Sequence, residues 1–326
     1  MPKKVSPQEL MRNIAIGHWV ARLVHIAAKL RLADLLKGGP RTVEDLAAAA
    51  NVQAPALYRV LRALASVGIF AETTGRRFRL TPLAATLQKN APGSLHPFAL
   101  MINENWSWDA WQELFSGIET GELPFLKAHG VPVFEYLEKH PEDLKVFGES
   151  MTSLSTAENP KIAAAYKFSR IRTLVDVGGG HGSLLATILK ANPKLKGVLF
   201  DQPSVIARAE KDQHVTAKGI AECVKILANC RAAMNTKGRV LVVDNVIPPG
   251  NDPHWGKLLD IQMLIIGGRE RTKKDFAGLL AKAGLKMTRV VPTKCPLGPR
   301  TLVGHRCSRC AKIQRVARSG SSRPIR

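Results

Sequence analysis

Three features of the sequence point to an α/β chain of two domains. An apolar run carrying one acid, Leu174-Val-Asp-Val177, leads into glycines at 178, 179, 180 and 182. A second apolar run, Gly197-Val-Leu-Phe200, ends in Asp201. Upstream, residues 42–80 follow the order helix, turn, helix, hairpin.

The N-terminal elements come first. Trp19 to Leu36 is largely apolar and suits burial against a partner chain. Thr42 is placed to cap a helix, with Asp45 three residues on. Between Asn51 and Ser66 the residues Leu57, Val60, Leu61 and Leu64 share one helical face, and Pro55 sits near the start. Ile69 to Leu80 reads as a hairpin turning at Thr74-Gly75. This is the order of a winged-helix module, which serves either DNA reading or subunit pairing. For DNA, Tyr58, Arg59 and Arg62 are the groove-facing candidates, and a net charge of +22 favours phosphate contact.

The glycine run reads as a buried strand ending in a turn that lets backbone approach a ligand closely. Ser183 to Lys190 then has helical spacing, with Leu184, Leu185, Ile188 and Leu189 on one side. A helix N-terminus therefore points at whatever the glycines hold. Asp201 is placed to take the hydroxyls of a ribose. A dinucleotide fingerprint requires G-x-G-x-x-G, whereas here Ser183 stands where the last glycine would fall. Asp176, on the strand itself, is placed to meet the amino end of a ligand. Together these residues favour S-adenosylmethionine (SAM) over NAD or FAD.

Val175-Asp-Val-Gly-Gly-Gly-His-Gly182, Phe200-Asp-Gln-Pro-Ser-Val-Ile206, Ile226-Leu-Ala-Asn-Cys-Arg-Ala-Ala-Met234, Gly238-Arg-Val-Leu-Val-Val-Asp244 and Gly267-Gly-Arg-Glu-Arg-Thr272 stand in this order. In these motifs the chain resembles the small-molecule O-methyltransferases of the plant caffeate and bacterial hydroxyneurosporene type. The resemblance implies a winged-helix dimerisation domain at 1–100. It implies a Rossmann-like class I methyltransferase domain with a helical linker at 101–296, and leaves a basic tail at 297–326, expected to be disordered. It implies SAM binding by Asp176, Gly178, Gly179, Gly180, Gly182, Asp201 and Ser155. It places Met151 and Trp108 near a hydroxylated aromatic or polyene acceptor, in a region rich in aromatic side chains, and it implies a homodimer. Asp244 and Glu270 align with the two acids that orient the family's catalytic histidine.

That histidine is the difficulty. Only 37 residues, Gln202 to Gly238, separate the strand ending at Asp201 from the strand starting at Arg239. Two strand and helix units are expected there, and one such unit takes about thirty residues. The segment instead reads as helix twice, at 204–211 and 217–234, so at least one strand is expected to be missing. In the family this gap supplies an acid on adenine, a central strand, and a His-Asp-Trp motif whose histidine deprotonates the acceptor. His214 reads as ordinary loop sequence, and the pattern resumes at Glu222. Weak or absent turnover is the expectation. A noncatalytic SAM-binding or dimerisation remnant and a DNA-binding regulator are the rival readings.

Composition bounds the rest. At 326 residues and 45% hydrophobic content the chain can bury a substantial core. The N-terminus has no apolar signal core and no run spans a membrane, so a cytoplasmic protein is expected. Nine basic side chains and no acid fall within 294–326. Cys295, His305, Cys307 and Cys310 offer one C-x-x-C spacing, too little to predict a zinc site. No metal is expected.

Overall fold

The structure, a computed structural model, describes residues 5–169, 171–201, 223–235, 238–293 and 300–306. It divides into two units, Met1–Ala157 with Ile265–Gly267, and Glu158–Leu264 with Gly268–Arg326.

The first unit opens with α1 (Pro7–Ala15), α2 (Gly17–Lys29) and α3 (Leu32–Leu35). The short strand β1 (Arg41–Thr42) leads into α4 (Val43–Ala50) and α5 (Ala54–Ser66), and β2 (Phe70–Thr73) and β3 (Arg77–Leu80) form the hairpin. Thr42 caps α4 by accepting the Asp45 N–H, so the cap read from the sequence forms. The strands pair in the order β1-β3-β2, with Thr73 opposite Arg77 across the turn. Gly75 takes φ 72°, a left-handed conformation suited to glycine. Leu57, Leu61 and Leu64 of α5 are buried with Leu32, Leu46, Phe70 and Phe78, while Val60 is half-buried. The 19–36 segment divides: Ala27, Ala28, Leu32, Ala33 and Leu36 enter the unit's own core, whereas Trp19 and Ile26 remain exposed. The Tyr58 ring lies between the guanidinium groups of Arg76 and Arg62, 4.1 and 5.4 Å from its centroid.

Helices continue through α6 (Pro82–Ala85), α7 (His96–Met101), α8 (Asn105–Gln112), α9 (Leu114–Thr120), α10 (Pro124–His129), α11 (Val133–Lys139) and α12 (Pro141–Ala165). Trp106, Ala110, Phe125, Val133 and Leu137 form a buried cluster inside the first unit, so the linker helices belong to it as far as Ala157. Of the aromatics singled out from the sequence, Trp106 and Phe125 are core and Phe134 is exposed.

The second unit holds β4 (Thr173–Val177), α13 (Ser183–Ala191), β5 (Lys196–Phe200), α14 (Cys223–Ala233), β6 (Arg239–Ile247), α15 (Trp255–Ile266), β7 (Arg271–Thr272), α16 (Lys273–Lys282), β8 (Met287–Pro292) and β9 (Arg300–Arg306). The expected helix at 204–211 and His214 lie outside the described residues. The strands form two sheets instead of one. β4 and β5 pair in parallel, and a separate sheet runs β7-β6-β9-β8. Among the described residues no strand joins β4 to β6. Parallel strands in a doubly covered sheet are buried on both faces. Val175, in the middle of β4, is instead 51% exposed. What links the two sheets is side-chain packing. Leu174 of β4 and Leu241 and Val243 of β6 all pack on a cluster of Ile162, Tyr166, Phe168, Ile188 and Leu195.

Part of the segment expected as a basic tail is described. Arg300–Arg306 forms β9, antiparallel to both β6 and β8, with Val303 opposite Val242 and Val290. Thr-Leu-Val is a strong strand sequence, and it meets an open edge of β6 there. Residues 307–326 lie outside the described set.

Candidate active site

The turn after β4 is built by its glycines. Gly178, Gly180 and Gly182 take φ of 73°, 59° and 76°, which disfavours any side chain. The Gly178 N–H donates to the Phe200 carbonyl at 2.7 Å, and the Gly182 N–H closes on the Gly179 carbonyl at 2.9 Å. Gly182 then caps α13 with no side-chain partner, leaving the helix N-terminus directed into the turn. Gly179 is demanded by space: a Cβ there would lie 2.5 Å from Leu199 Cδ1 and 2.6 Å from Asp176 Oδ2. Gly179→Ala should therefore destabilise the protein by about 1–3 kcal/mol, read by urea unfolding, and displace the Asp176 carboxylate.

Asp176 and Asp201 meet at this turn. Asp201 accepts the Gly180 N–H at 2.8 Å, which ties the end of β5 to the loop. Asp176 Oδ2 is buried and makes no hydrogen bond within the protein. Burial, and then the neighbouring Asp201 charge, push the Asp176 carboxyl up to about 6. A buried acceptor beside a glycine cradle fits a ligand that carries a cation and offers hydrogen-bond donors, as the amino acid end of SAM does. Asn159, which the sequence did not single out, is buried and donates to Ser183 Oγ at 3.1 Å, fastening the end of α12 to the start of α13. Their separation of 24 residues left no local signal.

Asp244 and Glu270 reach the same end of β6. Val246 pairs with Arg271, so Glu270 stands immediately beside the strand that carries Asp244. Asp244 is half-buried and accepts the Asn245 N–H at 2.8 Å. Glu270 is only 8% exposed, and its backbone N–H donates to Asp260 on α15 at 2.8 Å. Thr272 and Asp275 form a capping box that starts α16 and fixes the segment from the other side. Ser155 and Met151, half-buried on α12, and Trp108 on α8, under the Arg22 guanidinium at 5.6 Å, belong to the first unit. The geometry of the second unit brings together the glycines with Asp176 and Asp201, and separately Asp244 with Glu270. Among the described residues no cluster of His, Cys, Asp and Glu is set to hold a metal ion, and no helix is long and apolar enough to cross a membrane.

Comparison with known proteins gives this arrangement a family. The O-methyltransferase dimerisation domain matches residues 13–90, and the O-methyltransferase domain matches residues 111–221 and 217–286. The phenazine O-methyltransferase PhzM of Lysobacter antibioticus is 36% identical, over 89% of this chain and 94% of that protein. Caffeic acid 3-O-methyltransferase 1 of Populus tremuloides is 32% identical, over 87% of this chain and 92% of that protein. The SAH-bound structure of CalO1, a methyltransferase of calicheamicin biosynthesis, superposes with a TM-score of 0.79 at 32% identity, over 91% of this chain and 96% of that one.

The chain belongs to the SAM-dependent O-methyltransferases, with the family's dimerisation domain ahead of a class I methyltransferase domain. The family match is broken at 217–221, where two pieces meet. The alignment with PhzM is longer than the part of this chain it covers. Its 323 positions take in 89% of this 326-residue chain, about 290 residues, so about 33 positions face a gap here. That is about the length of one strand and helix unit.

Proposed function

We propose that the chain binds SAM on the Asp176 to Gly182 turn and transfers its methyl group, slowly, to a hydroxyl of a small aromatic acceptor. The observation that carries the first half is the buried, unpartnered Asp176 Oδ2 beside glycines that leave room for a ligand. The second half rests on relatives named for phenazine and caffeic acid methylation. Bound SAM supplies a methyl group already activated on a sulfonium. The protein's share is then alignment and removal of the hydroxyl proton. Asp201 would hold the ribose hydroxyls, and Ser155 would lie near the cofactor. Met151 and Trp108 would wall the acceptor, in a homodimer formed through the winged-helix domain.

Proton removal is where this chain departs from its family. Asp244 and Glu270 would orient a histidine, yet the segment expected to carry it is shortened. The split between β4 and β6 and the break in the family match at 217–221 both support that reading. Acceptors that ionise readily should therefore be favoured. Incubation with methyl-labelled SAM should label caffeic acid weakly and an aliphatic alcohol not at all. Equal labelling of both would contradict the proposal. A noncatalytic SAM-binding partner is the second reading, favoured by the same split sheet, and it predicts SAM binding with no label transferred.

A further inference from the structure

The helix that leaves the glycine turn is held from outside at its first residue. Ser183 opens α13, and with Gly182 as its cap the N–H groups of residues 183–185 have no acceptor inside the helix. Their direction depends on how this first turn is set. Within the helix, Thr187 Oγ1 donates to the Ser183 carbonyl at 2.8 Å. From α12, Asn159 Nδ2 donates to Ser183 Oγ at 3.1 Å. Asn159 is only 4% exposed, and burying an amide costs more than burying a leucine of the same size, so packing alone does not call for asparagine here.

Apolar contact brings the two helices together without fixing their rotation. Ile162, three residues after Asn159, and Ile188 of α13 belong to one buried cluster with Tyr166 and Phe168. Such burial is non-directional and tolerates small slides and turns of one helix on the other. Pro160 adds to that freedom. It has no N–H to give the Thr156 carbonyl, so α12 lacks a rung of its ladder beside Asn159. The bond from Asn159 is directional, and it acts on the residue next to Gly182 and three beyond Gly180, whose N–H is held by Asp201.

We propose that Asn159 is a positioning residue for the amino acid end of SAM, setting the first turn of α13 through its hydrogen bond to Ser183. The inference rests on the SAM reading above and gives Asn159 no contact with the cofactor. Asp201 and the strand ends, which would meet the nucleoside, do not depend on this bond.

The test titrates the full chain, Asn159→Leu and Ser183→Ala with SAM and, separately, with 5′-methylthioadenosine, the same nucleoside without the amino acid portion. Leucine keeps the size of asparagine and donates nothing. Asn159→Leu should weaken SAM by about three- to tenfold, the scale of one hydrogen bond, and leave methylthioadenosine within about twofold of the parent. Ser183→Ala removes the same bond from the other side and should reproduce that split even if the leucine variant fails to fold. Together the two substitutions should cost no more than the larger single loss. Equal weakening of both ligands would mark Asn159 as merely structural and overturn the proposal, as would unchanged SAM affinity or losses that multiply; each leaves the SAM reading standing. A folded parent that does not bind SAM overturns that reading and the proposal with it.

Discussion

Asp176→Asn should make the ligand-free protein more stable near pH 7.5 while removing most of its affinity for SAM. The folded protein holds the Asp176 carboxyl up to about 6 against an ordinary value of 3.8. The folded state therefore binds this proton more tightly than the unfolded chain does. Stability from this group is highest below the unfolded value, and it falls as pH rises from about 4 to about 6. A rise from 3.8 to about 6 corresponds to roughly 3 kcal/mol, an upper figure because the carboxylate keeps some access to water. Urea unfolding should show the asparagine variant more stable by about 1–3 kcal/mol at pH 7.5 and equal to the parent at about pH 4. A variant less stable at both pH values would mean the carboxylate is structurally satisfied and is not held in readiness for a cation. Calorimetry on the same variant should show SAM binding weakened by about a hundredfold, the scale of a lost buried charge pair.

The rate of methyl transfer should rise about tenfold per pH unit up to the acceptor's own ionisation near pH 10, with no plateau at neutral pH. On the proposed reading no general base stands on the hydroxyl, and reactivity then follows the fraction of acceptor already ionised. General-base assistance is typically worth about 10²–10⁴. The deficit at pH 7 relative to PhzM of Lysobacter antibioticus should fall in that range when both are given the same phenol. Measuring kcat/KM from pH 6 to 10 decides the matter. A plateau beginning near pH 6.5, the ordinary imidazole value, would show that a histidine of this chain serves as the base.

The two halves of the molecule were unequally legible. The winged-helix module could be read nearly residue by residue, because its signals are local: the Thr42 cap, the α5 face of Leu57, Leu61 and Leu64, and the Gly75 turn. The cofactor turn was legible for the same reason, since Asp176, the glycines and Ser183 are contiguous. What the sequence left open depended on contacts distant along the chain. Residues 101–157 join the first unit through the packing of Trp106 and Phe125, a choice that helical periodicity does not make. β9 forms because β6 and β8 present edges on either side of it, whereas composition alone made 300–306 look like part of a charged tail. Asn159 sits in a segment with no motif, and only the fold shows that it is buried and donates to Ser183 at the start of α13.

Chain length between β5 and β6 was the one long-range feature that could be read in advance. A run of 37 residues is too short for two strand and helix units, and among the described residues the strands of the second unit stand in two sheets, β4-β5 and β7-β6-β9-β8. The cofactor turn lies on one side of that division, between β4 and β5, and the candidate orienting acids lie on the other, at the end of β6. Packing on Ile162, Tyr166 and Ile188 holds the sides together without a shared ladder. On the proposed reading, a shortened segment between β5 and β6 would leave the glycine turn internally bonded while removing the base that Asp244 and Glu270 would orient.

Whether the Asp176 to Gly182 turn holds SAM is decided by titrating the purified protein with SAM in a calorimeter, with Asp176→Ala alongside. One site per chain with micromolar affinity, abolished in the variant, is the predicted result. No heat of binding from a folded, monodisperse protein would contradict it, because a turn built as described would then have no cofactor to hold.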